Sequence, residues 1–187
     1  MTALPDVVLT IRFLLRLAML GWGSFAIDRR RCAMLPAIRE TTMRDIRTEV
    51  EIDAPAERVW SVLTAFDTYD GWNPFITHLE GELRPGSRLS VTMRPPSGRA
   101  ITFRPSVTDV QPGRRFAWLG RLGVPGVFDG AHAHEVQPID ATHSRYVQSE
   151  RFTGVLLPFV GKVLRRTEQG FRAMNAEVKA RAERVPA

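Results

Sequence analysis

The last part of the chain, from Pro158 to about Glu183, limits the fold more than any other stretch. Its apolar residues recur every three or four positions and form one stripe: Val160, Val163, Leu164, Phe171, Met174 and Val178. This spacing predicts an amphipathic helix packed on another layer. Pro158 suits a first helical turn and the next proline is Pro186, so we expect one long, unbroken helix.

The segment from residue 44 to residue 153 alternates apolar and polar residues in short runs, which is typical of half-buried β-strands. The first run, residues 44–52, precedes Asp53, Pro55 and Glu57, which predict a helix capped by Asp53. Six further runs, bounded by proline or glycine, lie at about residues 75–83, 87–94, 100–110, 114–122, 127–137 and 143–153. We therefore predict an α+β fold of about seven strands, with a short helical hairpin after the first strand and the long helix across the sheet.

Composition excludes several classes of protein. The single cysteine among 187 residues, Cys32, rules out a disulfide framework and a cysteine metal cluster. The net charge of +6 comes from scattered arginines, not clustered with aromatic residues, so we expect no nucleic-acid partner. No phosphate-binding loop, zinc-protease helix or serine nucleophile motif occurs in the sequence.

Residues 1–43 form a separate apolar and basic leader. Residues 7–27 are mostly apolar, but a membrane-spanning helix there would hold Arg16 near the bilayer centre, at a cost of roughly 2.5–3.5 kcal/mol. Three interpretations stay open: an upstream over-extension of the reading frame, a loosely ordered tail, or an interfacial helix that contacts a membrane surface through residues 7–31. We expect residues 44–184 to form the folded domain in the cytoplasm, at the inner membrane face if the interfacial helix forms.

Five stretches of the sequence carry a family resemblance: residues 52–76 (IDAPAERVWSVLTAFDTYDGWNPFI), 112–122 (PGRRFAWLGRL), 126–136 (GVFDGAHAHEV), 149–154 (SERFTG) and 170–183 (GFRAMNAEVKARAE). Together they resemble the polyketide cyclase/dehydrase-like branch of the START and Bet v 1-type (SRPBCC) superfamily. The resemblance implies the helix-grip fold, in which a curved antiparallel sheet wraps round the long C-terminal helix and encloses an apolar cavity. That superfamily includes lipid carriers and aromatase/cyclases.

Strand alternation, read without the resemblance, identifies the inner face of the sheet. On the last two runs, which we expect to be adjacent, the face that carries phenylalanine also carries four polar residues: His132, His134, Gln148 and Glu150. An unpaired buried polar group costs roughly 1–3 kcal/mol, so these groups need partners. Three interpretations stay open: hydrogen bonds to one another and to trapped water, contacts with the polar end of an apolar ligand, or an acid/base pair of Glu150 with a histidine.

A metal site is a further interpretation of the same residues. His132 and His134 would place two imidazoles on one strand face, with Glu150 as a carboxylate ligand. Gly126 lies six residues before His132, as in half of a cupin motif, but the glutamate that a cupin requires shortly afterwards is missing. We therefore expect no metal and no other cofactor, and elemental analysis of the purified protein tests this.

We expect the domain to bind a small or medium hydrophobic ligand, such as a lipid, an acyl chain or an aromatic polyketide-like molecule. The ligand would enter between the C-terminal helix and the turn at residues 69–75. The residues expected to contact it are Leu63, Tyr69, Trp72, Val91, Phe103, Trp118, His132, His134, Gln148, Glu150 and Phe171. Two alternatives remain: a cyclase or dehydratase with His132 and Glu150 as catalytic candidates, or a protein-interaction module whose cavity is filled by large rings.

Overall fold

The computed structural model describes residues 43–96 and 98–184. Within them, eight strands follow the chain: β1 (Met43–Ile52), β2 (Ile76–Glu80), β3 (Ser90–Met93), β4 (Ile101–Phe103), β5 (Ser106–Gln111), β6 (Arg115–Arg121), β7 (Asp129–Pro138) and β8 (Ser144–Thr153). The helices are α1 (Ala56–Thr64) and α2 (Gly161–Glu183), with 3-10 turns at Phe66–Gly71 and Leu157–Phe159.

The strands form two antiparallel sheets. The larger sheet has the order β1-β8-β7-β6-β5 and the smaller has the order β2-β3-β4. A bridge between Arg88 and Ser106 joins the segment before β3 to β5. Helix α2 packs on one face of the larger sheet, here called the inner face, and buries Phe171, Met174 and Val178. The predicted α+β helix-grip architecture is therefore confirmed.

The predicted leader, residues 1–43, lies outside the described residues except for Met43, which begins β1. The interfacial helix hypothesised for residues 7–31 lies outside them too. In the described part of the chain, neither helix combines the length and the apolar character needed to cross a bilayer.

Helix α1 begins without the predicted cap. It starts at Ala56, directly after Pro55, and no side chain accepts a hydrogen bond from its first turn. The predicted cap by Asp53 is therefore wrong. The backbone N–H of Asp53 instead donates to the Glu183 carboxylate at 2.8 Å, which ties the segment before α1 to the end of α2.

Helix α2 is unbroken over its 23 residues, as predicted, but it begins later than expected. Pro158 lies in the 3-10 turn Leu157–Phe159, and α2 starts at Gly161. Leu157 is buried, and the backbone N–H of Val160 donates to its carbonyl oxygen at 3.4 Å. The tighter turn thus anchors the chain before the helix begins.

The run at residues 100–110, predicted as one strand, is two strands in different sheets. Pro105 separates β4 from β5, because proline has no N–H to donate and interrupts a strand ladder. Its carbonyl oxygen accepts the Leu89 N–H at 3.0 Å. The described chain therefore has eight strands instead of about seven.

Candidate functional site

The inner face of the larger sheet gathers the four polar residues that strand alternation assigns to it. β7 and β8 are neighbours, and their register pairs His132 with Glu150 and His134 with Gln148. Both histidines and Gln148 are buried, whereas the Glu150 side chain is 11% exposed. The four residues therefore form one site, which reaches the edge of the core at Glu150.

Hydrogen bonds join these side chains and one tyrosine into a row, here called the polar row: Glu150, His132, His134, Tyr146 and Gln148. His132 Nδ1 lies 3.4 Å from Glu150 Oε2, and His132 Nε2 lies 3.0 Å from His134 Nε2. His134 Nδ1 lies 2.6 Å from the Tyr146 hydroxyl oxygen. Gln148 Nε2 approaches His132 Nε2 at 3.3 Å.

The donors and acceptors of the polar row assign the tautomer of both histidines. The Gln148 amide donates to His132 Nε2, so that nitrogen carries no proton and His132 Nδ1–H donates to the Glu150 carboxylate. His132 Nε2 also accepts the His134 Nε2–H, which leaves His134 Nδ1 to accept the Tyr146 O–H. The row is thus a directional chain of hydrogen bonds that starts at Tyr146 and ends at Glu150.

Burial keeps the inner end of the polar row uncharged. Burial is the main reason why the pKa of His134 lies well below its usual range, and the nearby His132 lowers this pKa further. Burial is also the main reason why the pKa of the Tyr146 hydroxyl lies well above its usual range, and the nearby Tyr69 raises this pKa further. At neutral pH, His134 is therefore an imidazole and Tyr146 a phenol, each holding its proton in the row.

Aromatic rings enclose the polar row. The Trp118 ring stacks on His132 with centroids 4.7 Å apart and an interplanar angle of 6°. Phe171 of α2 meets the same imidazole edge-on at 4.9 Å, and Phe116 lies 4.6 Å from His134. Such walls exclude water, and hydrogen bonds are electrostatically stronger in the low dielectric that results.

Two amide oxygens beside the row have no hydrogen-bond partner in the described chain: Gln148 Oε1 and Asn175 Oδ1. The nitrogen atoms of both amides are engaged, that of Gln148 with His132 and with the Met174 sulfur at 3.5 Å. Asn175 donates to the Thr48 hydroxyl at 3.1 Å. Since a buried unpaired acceptor costs roughly 1–3 kcal/mol, each oxygen is a place where a donor from a ligand or water would be stabilised.

Sequence reasoning missed three polar residues of this region: Thr48, Tyr146 and Asn175. Tyr146 lies on the same strand face as Gln148, so strand alternation alone was enough to include it in the site. Thr48 is buried on β1 and pairs with Gln148. Asn175 follows Phe171 by four residues and so lies in the apolar stripe of α2. A polar residue inside an otherwise apolar stripe is the sequence signal that could have identified Asn175.

Other residues predicted to contact a ligand belong to the packed core. Leu63 and Tyr69 are completely buried, and the Tyr69 hydroxyl donates to the Leu63 carbonyl oxygen at 2.7 Å. The Trp72 ring packs edge-on against Tyr69 at 5.0 Å. Val91 is buried and pairs with Phe103 across β3 and β4. Tyr69 therefore fills the interior and does not stand at a cavity mouth.

The predicted entrance between the C-terminal helix and the turn at residues 69–75 is closed in this structure. The rings of Phe75 and Phe171 meet edge-on with centroids 5.6 Å apart. Phe75 also lies directly over Gly170, where any Cβ atom would collide with its ring. The absence of a side chain at Gly170 lets α2 approach this ring, and the close approach leaves no gap.

Surface pockets of about 410 Å³ lie in two places. One runs between β1 and α2, where Thr48 and Asn175, the pair beside the polar row, line it together with Ala176, Lys179 and Glu183. The other lies between the turn Phe66–Gly71 and β2. Neither is lined by a residue that the sequence predicts to contact the ligand.

Glycines make room at the exposed end of the polar row. Gly120 of β6 pairs with Gly130 of β7 on the inner face. A Cβ atom at Gly130 would collide with the Glu150 carboxylate, and one at Gly120 would lie 3.2 Å from the Phe103 ring. A carboxylate and a half-buried aromatic ring thus lie over two adjacent glycines.

The two histidines are not arranged as metal ligands. All four ring nitrogens of His132 and His134 are within hydrogen-bonding distance of another side chain, two of them of each other. Within residues 43–96 and 98–184, no group of three or more His, Cys, Asp or Glu residues is placed to hold a metal ion. The absence of a bound metal stays a prediction for elemental analysis.

Solved structures share this fold at low sequence identity. An aromatase/cyclase, Zhui from Streptomyces sp. R1128, is 21% identical, with a TM-score of 0.64 over 76% of this chain and 95% of that one. A START superfamily protein from Mycobacterium smegmatis is 19% identical, with a TM-score of 0.57 over 73% and 97%. Truncated norcoclaurine synthase from Thalictrum flavum is 16% identical, with a TM-score of 0.58 over 74% and 92%. At such identities the likeness shows the fold alone.

Comparison at the level of sequence identifies the family. No curated protein sequence matches this chain significantly. The family model described as "Polyketide cyclase / dehydrase and lipid transport" matches residues 43–183, which is most of the chain and nearly all of the described domain. The chain therefore belongs to the polyketide cyclase/dehydrase and lipid transport family.

Proposed function

We propose that this protein binds a small or medium hydrophobic ligand, such as a lipid, an acyl chain or an aromatic polyketide-like molecule, against the inner face of its larger sheet. The observation that carries the proposal is the polar row itself, a buried hydrogen-bonded series within aromatic walls that reaches the core edge at Glu150. Ligand sites are mostly apolar with a few convergent polar groups that orient the ligand. Membership of the family agrees with this role.

Glu150 is the place where a ligand would reach the row. Its side chain is 11% exposed, against 2% for His132. Phe103 and Phe128 nearby are only half-buried, and Phe128 stacks on Phe152 with centroids 5.4 Å apart. Displacement of these two half-buried rings would open a path over the glycine pair without disturbing the closed junction between α2 and Phe75. The polar end of the ligand would then meet Glu150 and His132.

The second candidate function is acid/base catalysis of the cyclase or dehydratase type at the same place. The observation that favours it is the direction of the hydrogen bonds, which delivers the His132 Nδ1–H to the Glu150 carboxylate. As a general base, Glu150 would take a proton from a carbon next to a substrate carbonyl, giving an enolate and a protonated carboxyl group. The carboxyl group would return that proton to a departing hydroxyl group, which leaves as water.

The experiment compares Glu150→Gln with Glu135→Gln in the full chain. Glu135 lies on the opposite face of β7 and pairs with Arg115 at the surface, so its substitution removes the same charge outside the site. We expect Glu150→Gln to change the affinity for a naphthalene probe, or for fatty acids that displace it, by several-fold, and Glu135→Gln to leave it unchanged. Identical titrations for both variants and the wild type would contradict the proposal.

A second variant tests the location without removing the carboxylate. Gly130→Ala would push the flexible Glu150 side chain from its present position and leave the rest of β7 in place. We expect the same direction of change in affinity as for Glu150→Gln. If Glu150→Gln keeps full binding but abolishes turnover of an enolisable ligand, the catalytic candidate replaces simple binding. If the wild type binds no probe, the interaction-module alternative replaces both.

A further inference from the structure

One end of the domain exposes large apolar side chains to solvent. Leu122, Val124, Val155 and Phe159 are 39%, 62%, 70% and 82% exposed, and we call this group the apolar end. In the described chain they make up four of the seven large hydrophobic residues that are exposed. They lie on two loops, between β6 and β7 and between β8 and α2. Such a concentration marks an interaction site more often than scattered single residues do.

Backbone contacts hold the two loops together. The Val155 N–H donates to the Gly126 carbonyl oxygen at 3.1 Å, and the Leu156 N–H donates to that of Val127 at 3.2 Å. Gly154 has a φ of +133°, and a Cβ atom there would collide with the Val127 carbonyl. The apolar end is therefore a built surface, held by backbone hydrogen bonds on both loops.

Positive charge follows directly in the chain. Lys162, Arg165 and Arg166 share one face of the first turns of α2, and none of them forms an ion pair within the part of the chain that the structure describes. The first turn of α2 contains no acidic residue. Cations near the start of a helix are unfavourable for the helix itself, so helix stability does not account for these charges.

The opposite end of the same strands is different. The turn between β7 and β8 is polar, and the Asp140 carboxylate there accepts hydrogen bonds from the backbone N–H groups of Thr142 and His143. Its one exposed large apolar residue in the described chain is Ile139, at 51%. Ile139 therefore offers a matched control for the apolar end.

We propose that the apolar end docks on the surface of an anionic lipid bilayer. The exposed side chains would enter the interface between headgroups and acyl chains, and the three cations of α2 would lie over the negative headgroups. Phe159 has the largest apolar surface to bury and lies just before the charged turns. The docking surface goes beyond ligand binding, and it would bring the Glu150 end of β8, four residues before Gly154, towards a source of apolar ligand.

The test is co-sedimentation of the full chain with vesicles of phosphatidylcholine alone and of phosphatidylcholine mixed with phosphatidylglycerol. We expect binding to the mixed vesicles, weakened tenfold or more by the double substitution Val155→Asp and Phe159→Asp and unchanged by Ile139→Asp. Lys162→Gln, Arg165→Gln and Arg166→Gln should each weaken it about fivefold, whereas Arg47→Gln on β1 should not.

Two outcomes would overturn the docking surface. Vesicle binding that persists at wild-type strength in the double variant would come from other residues of the chain. Absence of wild-type binding to either vesicle would point to a protein partner for the apolar end. Because all these positions are exposed or half-exposed at the surface, we expect each variant to fold. Thermal melting of each variant checks this.

Discussion

The two faces of β7 and β8 carry polar side chains in opposite circumstances. On the outer face, Arg145 pairs with Glu51 at 2.7 Å and Arg151 pairs with Asp45 at 2.9 Å, and the four side chains are 38–67% exposed. On the inner face, the polar row is hydrogen-bonded internally and almost completely buried. Water can replace the partners of the outer groups, but it has no access to most of the inner ones.

This difference separates groups that the fold tolerates from groups that need an explanation. Exposed ion pairs contribute little to stability. Buried polar groups cost free energy when one partner is removed, yet apolar groups of the same shape are often as stable as the pair. The fold alone therefore does not require the polar row, and this is why we propose that the row contacts a ligand. The predictions below test how far the two environments differ.

The largest difference should come from two phenylalanines. Phe171→Ala removes a completely buried ring that contacts His132 and Phe75, so we expect a loss of about 3–5 kcal/mol in the free energy of unfolding. Phe159→Ala removes a ring that is 82% exposed, and we expect a change within about 0.5 kcal/mol. Urea denaturation measures both. Similar losses in the two variants would show that the inner face is less closed than described.

A single hydroxyl group gives the next largest difference. Tyr146→Phe leaves His134 Nδ1 without its donor, so we expect a loss of about 1–3 kcal/mol. Ser149→Ala removes a hydroxyl from the outer face of the same strand, and we expect a change within about 0.5 kcal/mol. Denaturation curves of the two variants make the comparison. An unchanged Tyr146→Phe protein would mean that solvent reaches the inner face.

The histidines extend the comparison to pH. Because burial lowers the pKa of His134, the unfolded chain takes up a proton near pH 6.5 that the folded chain refuses, and stability falls as pH drops below that value, by about 1.4 kcal/mol per pH unit. His134→Gln should flatten this slope. The hydrogen bond to Asp140 raises the pKa of exposed His143. The contribution of His143 to folding stability is therefore lost as pH rises through that pKa.

The measurement is the free energy of unfolding at pH 5 and pH 7 for both histidine variants. His143→Gln should lose stability at acid pH as steeply as the wild type, because buried His134, which causes this loss, is still present. Retention of the full slope in His134→Gln would mean that another buried group controls it.

The smallest effect is expected from an outer-face ion pair. Arg115 lies 3.0 Å from Asp109 and 3.8 Å from Glu135, with about a third of its side chain exposed. Arg115→Gln should cost no more than about 1 kcal/mol, and added salt should reduce that cost. Thermal melting at low and high salt measures it. A loss as large as that of Tyr146→Phe would remove the distinction between the two faces.

Local periodicity predicted most of this fold. The stripe of α2 and the strand alternation follow from spacings of three or four and of two residues, which need no knowledge of distant partners. Pro105 was harder to interpret, because the sequence does not show that the runs before and after it pair in different sheets. The predicted cap failed because α1 begins at Ala56 with Pro55 in the capping position, so Asp53 lies two residues before that position.

The site was predictable in most of its members but not in its arrangement. Parity along two strands was enough to place His132 and Glu150 on one inner face. The order of hydrogen bonds depends on side-chain rotamers, and the unpaired oxygens of Gln148 and Asn175 depend on where α2 lies. Closure of the predicted entrance depends on the approach of α2 to Phe75, a contact between segments almost 100 residues apart that periodicity cannot report.

The most direct measurement is native mass spectrometry of the full chain after gentle purification, followed by denaturing extraction and identification of what is released. We predict a lipid, an acyl compound or an aromatic compound at close to one per chain, with lower occupancy in Glu150→Gln than in Glu135→Gln. A bare chain in all three proteins, together with no binding of a naphthalene probe, would contradict ligand binding at the polar row.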